Sequence, residues 1–293
     1  MNIYLAGTYS RSHWVFDEMD IYLAGRGVKA KNIDVHNERM NIYLAGEHEV
    51  KNGKAATAHN GLLILESYVY ARDNKHITSL IPTFKSFLLD SGAYTFMIQA
   101  RKQDVLVDWN EYIEQYAAFI LQHNVDLFFE LDIDRIVGLS EVERLRGHLE
   151  RLTGKPSIPV WHRSRGLDYF KAMCRDYPYV SLSASGNNGS SEWTRTADGT
   201  KVLRQLIDIA HDAGARVHGL GYTNVGNLRF LKFDSVDSTS WLMGNRGGFL
   251  WFFTGSTIVT SHKPEGTRLK AREVAQHNFD EWVKFQQYAE KHL

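Results

Sequence analysis

The chain alternates short apolar runs with segments whose apolar residues recur every three or four positions. The first pattern predicts strands and the second amphipathic helices, because side chains alternate faces along a strand and return to one face every ~3.6 residues in a helix. Strands are expected at Ile42–Ala45, Phe87–Leu89, Leu127–Ile133, Ile158–Trp161, Val180–Leu182, Val217–Leu220 and Phe233–Val236. Leu62–Glu66 is either an eighth strand or the beginning of a helix running into Ser67–Arg72. Trp109–Gln122 reads as a helix with Tyr112, Ile113, Tyr116, Phe119 and Ile120 on one face. Ser140–Leu152 opens on a Ser140/Glu143 capping box and stops before Gly154. Thr200–Ala213 repeats Val202, Leu203, Leu206, Ile207 and Ala210 before Gly214, and a last amphipathic helix runs from about Leu269 to the C-terminus. Seven or eight strands alternating with helices predict an α/β protein, and specifically a (β/α)8 TIM barrel. An open dinucleotide-binding sheet would need Gly-x-Gly-x-x-Gly after its first strand. Gly219-Leu220-Gly221 lacks the third glycine and comes late in the chain.

The N-terminus breaks this alternation with a repeat. Met-Asn-Ile-Tyr-Leu-Ala-Gly starts at Met1 and again at Met40, and Met19 begins the variant Met-Asp-Ile-Tyr-Leu-Ala-Gly. Three copies so short and so unevenly followed do not make a solenoid. Residues 1–39 are therefore expected to be a duplicated leader, with the barrel and its C-terminal helix occupying 40–293. The rival is that all three copies pair in one small sheet.

Composition narrows the function classes by exclusion. Of 293 residues 43% are hydrophobic and 23% charged, as in an ordinary globular domain. The 34 basic and 34 acidic residues cancel, so no global field points to nucleic acid or membrane. The single cysteine, Cys174, excludes an internal disulfide and a cysteine-rich zinc site. His211, His218 and His262 fall on different elements, so neither metal nor cofactor is expected. No run of about 18 apolar residues and no signal-type start is present, which makes the cytoplasm the default location.

Candidate chemistry collects where the strands end, the end of a barrel that carries function. In order, those ends read Asp90-Ser91-Gly92, Glu130-Leu131-Asp132-Ile133-Asp134, Trp161-His162-Arg163, Ser183-Ala184-Ser185-Gly186, His218-Gly219-Leu220-Gly221 and Asp237-Ser238. Each Asp alone reads more readily as a helix N-cap in the next βα loop, but six polar strand ends together predict an active-site rim. Asp234 and Asp237 lie three residues apart at the end of one β-prone run, so an extended chain sends them to opposite faces. A Ser-rich turn that bonds its own backbone is the plain alternative.

Val217-His218-Gly219-Leu220-Gly221-Tyr222-Thr223, Asn227-Leu228 and Phe233-Asp234-Ser235-Val236-Asp237-Ser238 resemble the tRNA-guanine transglycosylase superfamily. Leu89-Asp90-Ser91-Gly92-Ala93-Tyr94 is similar to its Asp-Ser-Gly-Gly-Phe segment, and Leu131-Asp132-Ile133 to the segment of its second substrate-binding Asp. Gly244-Asn245-Arg246-Gly247-Gly248, with Gly255 after it, resembles the stretch following the nucleophile. The matches keep family order across residues 87–256. The resemblance implies exchange of guanine in a nucleic acid for a free 7-deazaguanine base, in a barrel that could also pair as a homodimer. It makes Asp237 the nucleophile and Asp90 the proton-transferring partner, with Asp132 reading the guanine edge. Ser91, Gly92, Trp161, His162, Ser183, His218, Gly219 and Asp234 would complete the substrate site. Matching Phe-Asp-Ser literally would shift the nucleophile to Asp234.

The family's Cys3His zinc site is missing, its glutamine gives way to Trp161-His162, and its Gly-Gly-Leu strand end to Leu182-Ser183. These departures favour the DNA-modifying branch of phages and bacterial islands over a tRNA enzyme. Arg163, Arg165, Arg195, Lys201, Arg246 and Lys263 are then candidate phosphate contacts, and Trp161, Tyr222 and Trp241 candidates to stack on a flipped guanine. The rivals are a nucleoside deoxyribosyltransferase-like enzyme, suggested by Ile-Tyr-Leu-Ala-Gly, an N-glycoside hydrolase using Asp90 and Asp237, and a catalytically silent nucleic-acid-binding barrel.

Overall fold

The computed structural model describes residues 21–25, 40–44, 61–92, 96, 107–183, 194, 196–222, 224–237, 240–242, 249–262 and 269–293. Of 21–25, 40–44 and 271–272 it describes the backbone alone. The strands are β1 (Ile21–Gly25), β2 (Met40–Leu44), β3 (Leu63–Ser67), β4 (Ser86–Asp90), β5 (Leu127–Phe128), β6 (Val160–Trp161), β7 (Tyr179–Ser183), β8 (Arg216–Leu220), β9 (Ser235–Asp237), β10 (Phe249–Phe253) and β11 (Ile258–His262). The helices are α1 (Tyr68–Ala71), α2 (Lys75–Leu80), α3 (Trp109–Gln122), α4 (Asp134–Val137), α5 (Leu139–Thr153), α6 (Leu167–Asp176), α7 (Ala197–Asp212), α8 (Val225–Leu231) and α9 (Ala271–His292). The molecule is thus a mixed α/β protein.

Nine strands form one sheet in the order β5-β4-β3-β2-β1-β9-β8-β7-β6. Every ladder in it is parallel except those of β1, which runs antiparallel to both β2 and β9. The two ends of this order are bonded to each other. Phe129 bridges Ile158 in parallel; the Ile158 N–H donates to the Phe128 carbonyl at 2.8 Å, and the Glu130 N–H to the Ile158 carbonyl at 3.1 Å.

Register decides which side chains share a face. Ser67 lies beside Asp90, and Ser181, His218 and Ser235 lie side by side across β7, β8 and β9. Asp90 shares its face with Leu88, which pairs with Leu127. Phe129, two residues on, has its ring 5.2 Å from that of His218. Asp90 and Asp237 therefore look out from the same face of the sheet.

The helices follow their apolar periodicity and their caps. Asp108 accepts the N–H groups of Asn110 and Glu111 at the start of α3, and Thr196 accepts that of Gly199 at the start of α7. The Ser140/Glu143 capping box does not form. Gly138, with a positive φ of 84°, turns the chain one residue earlier, so α5 begins at Leu139 and Ser140 falls inside its first turn. Glu143 instead accepts the Tyr169 hydroxyl at 3.0 Å. Gly154 closes the helix in the left-handed conformation, as read from the sequence.

Leu63–Ser67 is a strand that hands over to a helical turn, Tyr68–Ala71, so the strand reading of Leu62–Glu66 holds and the helix is confined to the residues after it. The expected strand Leu127–Ile133 is cut short: the Ile133 N–H goes to the Leu131 carbonyl and the chain turns into α4. The β10–β11 hairpin has no counterpart among the strands that the sequence pattern predicts. Its β10 edge is covered by α9, where Asn278 accepts the Trp251 N–H at 2.8 Å and Glu281 the Phe253 N–H at 2.7 Å. Helix α9 also carries Gln286, which donates to the Leu63 carbonyl at 3.2 Å, and buries Trp282, Phe285 and Ala289.

Ile21–Gly25 lies inside the stretch expected to be a leader, yet pairs on both sides within the sheet. That copy of the repeat belongs to the sheet, because an extended Ile-Tyr-Leu run meets open ladder groups on both β2 and β9. Residues 1–20 and 26–39 lie outside the described residues. Among the described residues no helix is long and apolar enough to cross a membrane.

Candidate functional site

The first cluster lies on β7, β8 and β9. Asp237, the last residue of β9, is fully buried. Its Oδ1 accepts the Gly221 N–H and a bond from His218 Nε2 at 3.1 Å. His218 Nδ1 meets the Ser235 hydroxyl, which in turn meets the Tyr179 hydroxyl. The Arg216 guanidinium sits 4.4 Å from the centroid of the Tyr179 ring. Burial pulls the His218 pKa below its ordinary value, and the hydrogen bond and charge of Asp237 oppose this only in part. Asp234 points the other way: its Oδ2 accepts the Val217 N–H at 2.8 Å and lies 2.9 Å from His211 Nε2. Gly219 also faces away from Asp237. A Cβ there would come within 3.0 Å of the Phe233 ring and Val236, so packing rather than a ligand demands this glycine.

The second cluster joins the end of β4 to helix α3. Asp90 is buried at the end of β4, where its Oδ2 accepts the Gly92 N–H at 2.9 Å. The Ser91 carbonyl accepts the Tyr112 hydroxyl at 2.6 Å, and the Tyr116 hydroxyl sits between the carbonyls of Leu89 and Phe129 at 3.1 and 3.2 Å. Burial raises both tyrosines well above their ordinary pKa, and the charge of Asp90 adds to the effect. Gly92 has a φ of 78°, and a Cβ there would stand 2.2 Å from Val69 Cγ2. No other residue fits this turn, which keeps the Asp90 carboxylate pinned.

The third cluster is an ion network at the ends of β5 and β6. Glu130 is completely buried and accepts Arg146 at 2.9 Å, Arg165 at 2.9 Å and the Val160 N–H at 2.8 Å. Arg165 also reaches Asp134 at 3.2 Å and Asp132 at 3.6 Å, while His162 Nε2 lies 2.5 Å from Asp132 Oδ1. Burial raises Glu130, with Arg165 and Arg146 pulling against it. For Asp132 the burial penalty is outweighed by His162 and Arg165, so its pKa is lowered. For His162 burial is likewise outweighed by Asp132, so its pKa is raised. Three carboxylates thus face two guanidiniums and an imidazole biased toward its charged form.

Asp132, Asp134 and His162 offer ligand atoms within 4.8 Å of one another. The Arg165 guanidinium already stands among these carboxylates, and a protonated His162 has no lone pair to give. The donor set suits an internal cation better than a metal.

The structure brings together Asp237 with His218, Asp90 with Ser91 and Gly92, and Asp132 with His162, while Ser183 is half-buried at the end of β7. It corrects several other assignments. Trp161 is buried against Phe170 and donates to the Gly166 carbonyl at 2.8 Å. Tyr222 packs on Phe233, and Trp241 on Phe279. All three rings serve the core and are not free to stack on a base. The Arg165 side chain is 1% exposed and spent on carboxylates, so it cannot hold a phosphate. Arg163 and Lys201 are exposed, Lys201 beside Asp198 at 3.3 Å. Arg195, Arg246 and Lys263 lie outside the described residues. Sequence reasoning missed Tyr179, Ser235 and Arg146. For Arg146 a signal existed: Glu130, Asp132 and Asp134 on alternate positions repel one another and require cations from elsewhere in the chain. Compared with known proteins, the chain matches no protein-family model and no curated protein.

Proposed function

We propose that this chain is a base-exchange glycosyltransferase that replaces guanine in a nucleic acid, DNA ahead of tRNA, with a 7-deazaguanine. One observation carries this reading: Asp237 and Asp90 end different strands, share a sheet face, and are each held by backbone N–H donors. The fold that suits them is a (β/α)8 barrel. Strands β2 to β9 run parallel in chain order with β5 and β6 joined, and β1 fills the remaining seam between β2 and β9.

In the first displacement the Asp237 carboxylate gives an electron pair to C1′ of the target nucleoside. The C1′–N9 bond breaks, its electron pair leaves with guanine, and an acid, in this reading Asp90, supplies the proton the base needs. The incoming 7-deazaguanine loses a proton to the same group and attacks C1′, expelling Asp237 as carboxylate. Two inversions restore the original anomer, as in a retaining glycosidase. Asp237 has no solvent exposure, so the flipped nucleoside has to displace the groups that cover it. Asp132, with His162 beside it, is the candidate reader of the guanine edge, a set of N–H donors that an ionised carboxylate complements.

The test is incubation with labelled 7-deazaguanine and either duplex DNA or tRNA, followed by separation of polymer from free base. Label in DNA and a covalent adduct on a denaturing gel are expected for the native chain, and neither for Asp237→Asn, whose amide cannot form the glycosyl ester. Release of guanine without uptake would make the protein a hydrolase of the same bond. An adduct that survives Asp237→Asn and vanishes in Asp234→Asn would move the nucleophile to Asp234.

A further inference from the structure

We infer that Tyr179, Ser235 and His218 form a hydrogen-bond chain of single polarity that positions the Asp237 carboxylate, with the His218 proton held on Nε2. The inference rests on the function proposed for Asp237, but its geometry stands without it. A carboxylate offers lone pairs only, so the bond at 3.1 Å between His218 Nε2 and Asp237 Oδ1 requires the hydrogen on Nε2. Burial holds the imidazole neutral, which leaves Nδ1 as an acceptor. Ser235 must then donate to Nδ1, and its oxygen accepts from the Tyr179 hydroxyl. Each assignment fixes the direction of the next bond along the chain.

The other groups around His218 agree with this polarity. Arg216, on the same strand two residues earlier, lies over the Tyr179 ring and adds a positive charge that opposes a second proton on the imidazole. Phe129 closes the other side with its ring. Ser235 and Tyr179 are buried, so bulk water does not compete for the chain. Tyr179 and Ser235 touch neither substrate nor reacting atoms; they act through His218 and are positioning residues.

The consequence falls on the second displacement. When the incoming base attacks C1′, the electron pair of the ester bond returns to Asp237, and the charge reappears beside two oriented donors, His218 Nε2–H and the Gly221 N–H. No proton crosses: the imidazole keeps its hydrogen throughout and only the strength of the bond changes.

The experiment has two readouts on the full chain. Two-bond 15N–1H correlations of the histidine rings, with His218 assigned by its loss in His218→Gln or through its contact with Phe129, report the tautomer directly. The expected result at neutral pH is a neutral ring protonated on Nε2. A ring protonated on Nδ1, or a doubly protonated one, overturns the polarity whether or not the protein exchanges bases. In the exchange assay, Ser235→Ala should lower kcat by about tenfold to a hundredfold with KM little changed, as for the loss of a partner that orients a reacting group. Ser235→Thr, which keeps the hydroxyl, should restore most of it, and Tyr179→Phe should show a smaller loss in the same direction. Unchanged kcat in both Ser235→Ala and Tyr179→Phe would sink the positioning role. The expected tautomer in a chain without exchange activity would leave the hydrogen-bond polarity standing and remove the function proposed for it.

Discussion

Two carboxylates three residues apart illustrate how much one side chain's direction decides. Asp234 turns to the backbone of β8 and to His211, while Asp237 turns to His218. Asp234→Ala would strand the Val217 N–H, a buried donor, at a cost of about 1–3 kcal/mol, and urea unfolding of the variant should show that loss. A second prediction concerns pH. The Asp132 pKa lies below its unfolded value and the His162 pKa above it, so their pairing favours the folded state between those two ordinary values. That contribution fades as pH falls through the Asp132 value in the folded protein, and as pH rises through that of His162. The Tm gap between the native chain and His162→Gln should therefore be widest near pH 5–6, roughly midway between ordinary Asp and His values, and shrink by pH 9. A gap that widens with alkalinity would refute the pairing. The carboxylates themselves were readable as polar strand ends, and their crowding as a demand for cations; which cations answer it was not, because Arg146 and Arg165 come from segments that only folding places beside them.

At the level of elements, long periodic helices were legible and the hairpin was not. Trp109–Gln122 keeps the bounds its apolar face predicts, and helix α9 begins within two residues of the expected start. Phe249–Phe253 is an apolar run, aromatic at every position but Leu250, whose strand character depends on a helix that follows it in the chain, since α9 supplies acceptors for two of its N–H groups. Asn278 is the tie. It accepts from Trp251 and donates to the Trp241 carbonyl at 3.1 Å, with no solvent exposure. Asn278→Ala should cost about 2–4 kcal/mol, because a buried carbonyl and a partly buried N–H lose a partner together. Denaturant titration followed by tryptophan fluorescence measures this. A loss below about 1 kcal/mol would mean that the hairpin is held by its ring contacts instead.

For the whole molecule, β1 holds the seam between β2 and β9. A chain beginning at Met40 lacks β1 and leaves both ladders unpaired at that seam. The two flanking strands run parallel to each other, so they can close directly. The truncated chain should unfold cooperatively at a lower Tm and keep any exchange activity, as judged by thermal melts and the labelling assay. A broad, non-cooperative melt would make β1 indispensable. What the sequence by itself determined was the alternation of strands and helices and the gathering of acids at strand ends, because hydrophobic periodicity and turn residues act over a few positions of the chain. Only the tertiary structure decided that Ile21–Gly25 joins the sheet antiparallel, that Trp161, Tyr222 and Trp241 are core, and that Arg165 belongs to carboxylates rather than phosphate. Those outcomes depend on which distant groups meet. A buried charge or an open strand edge takes whatever partner the fold brings within reach, and that partner leaves no local mark in the sequence.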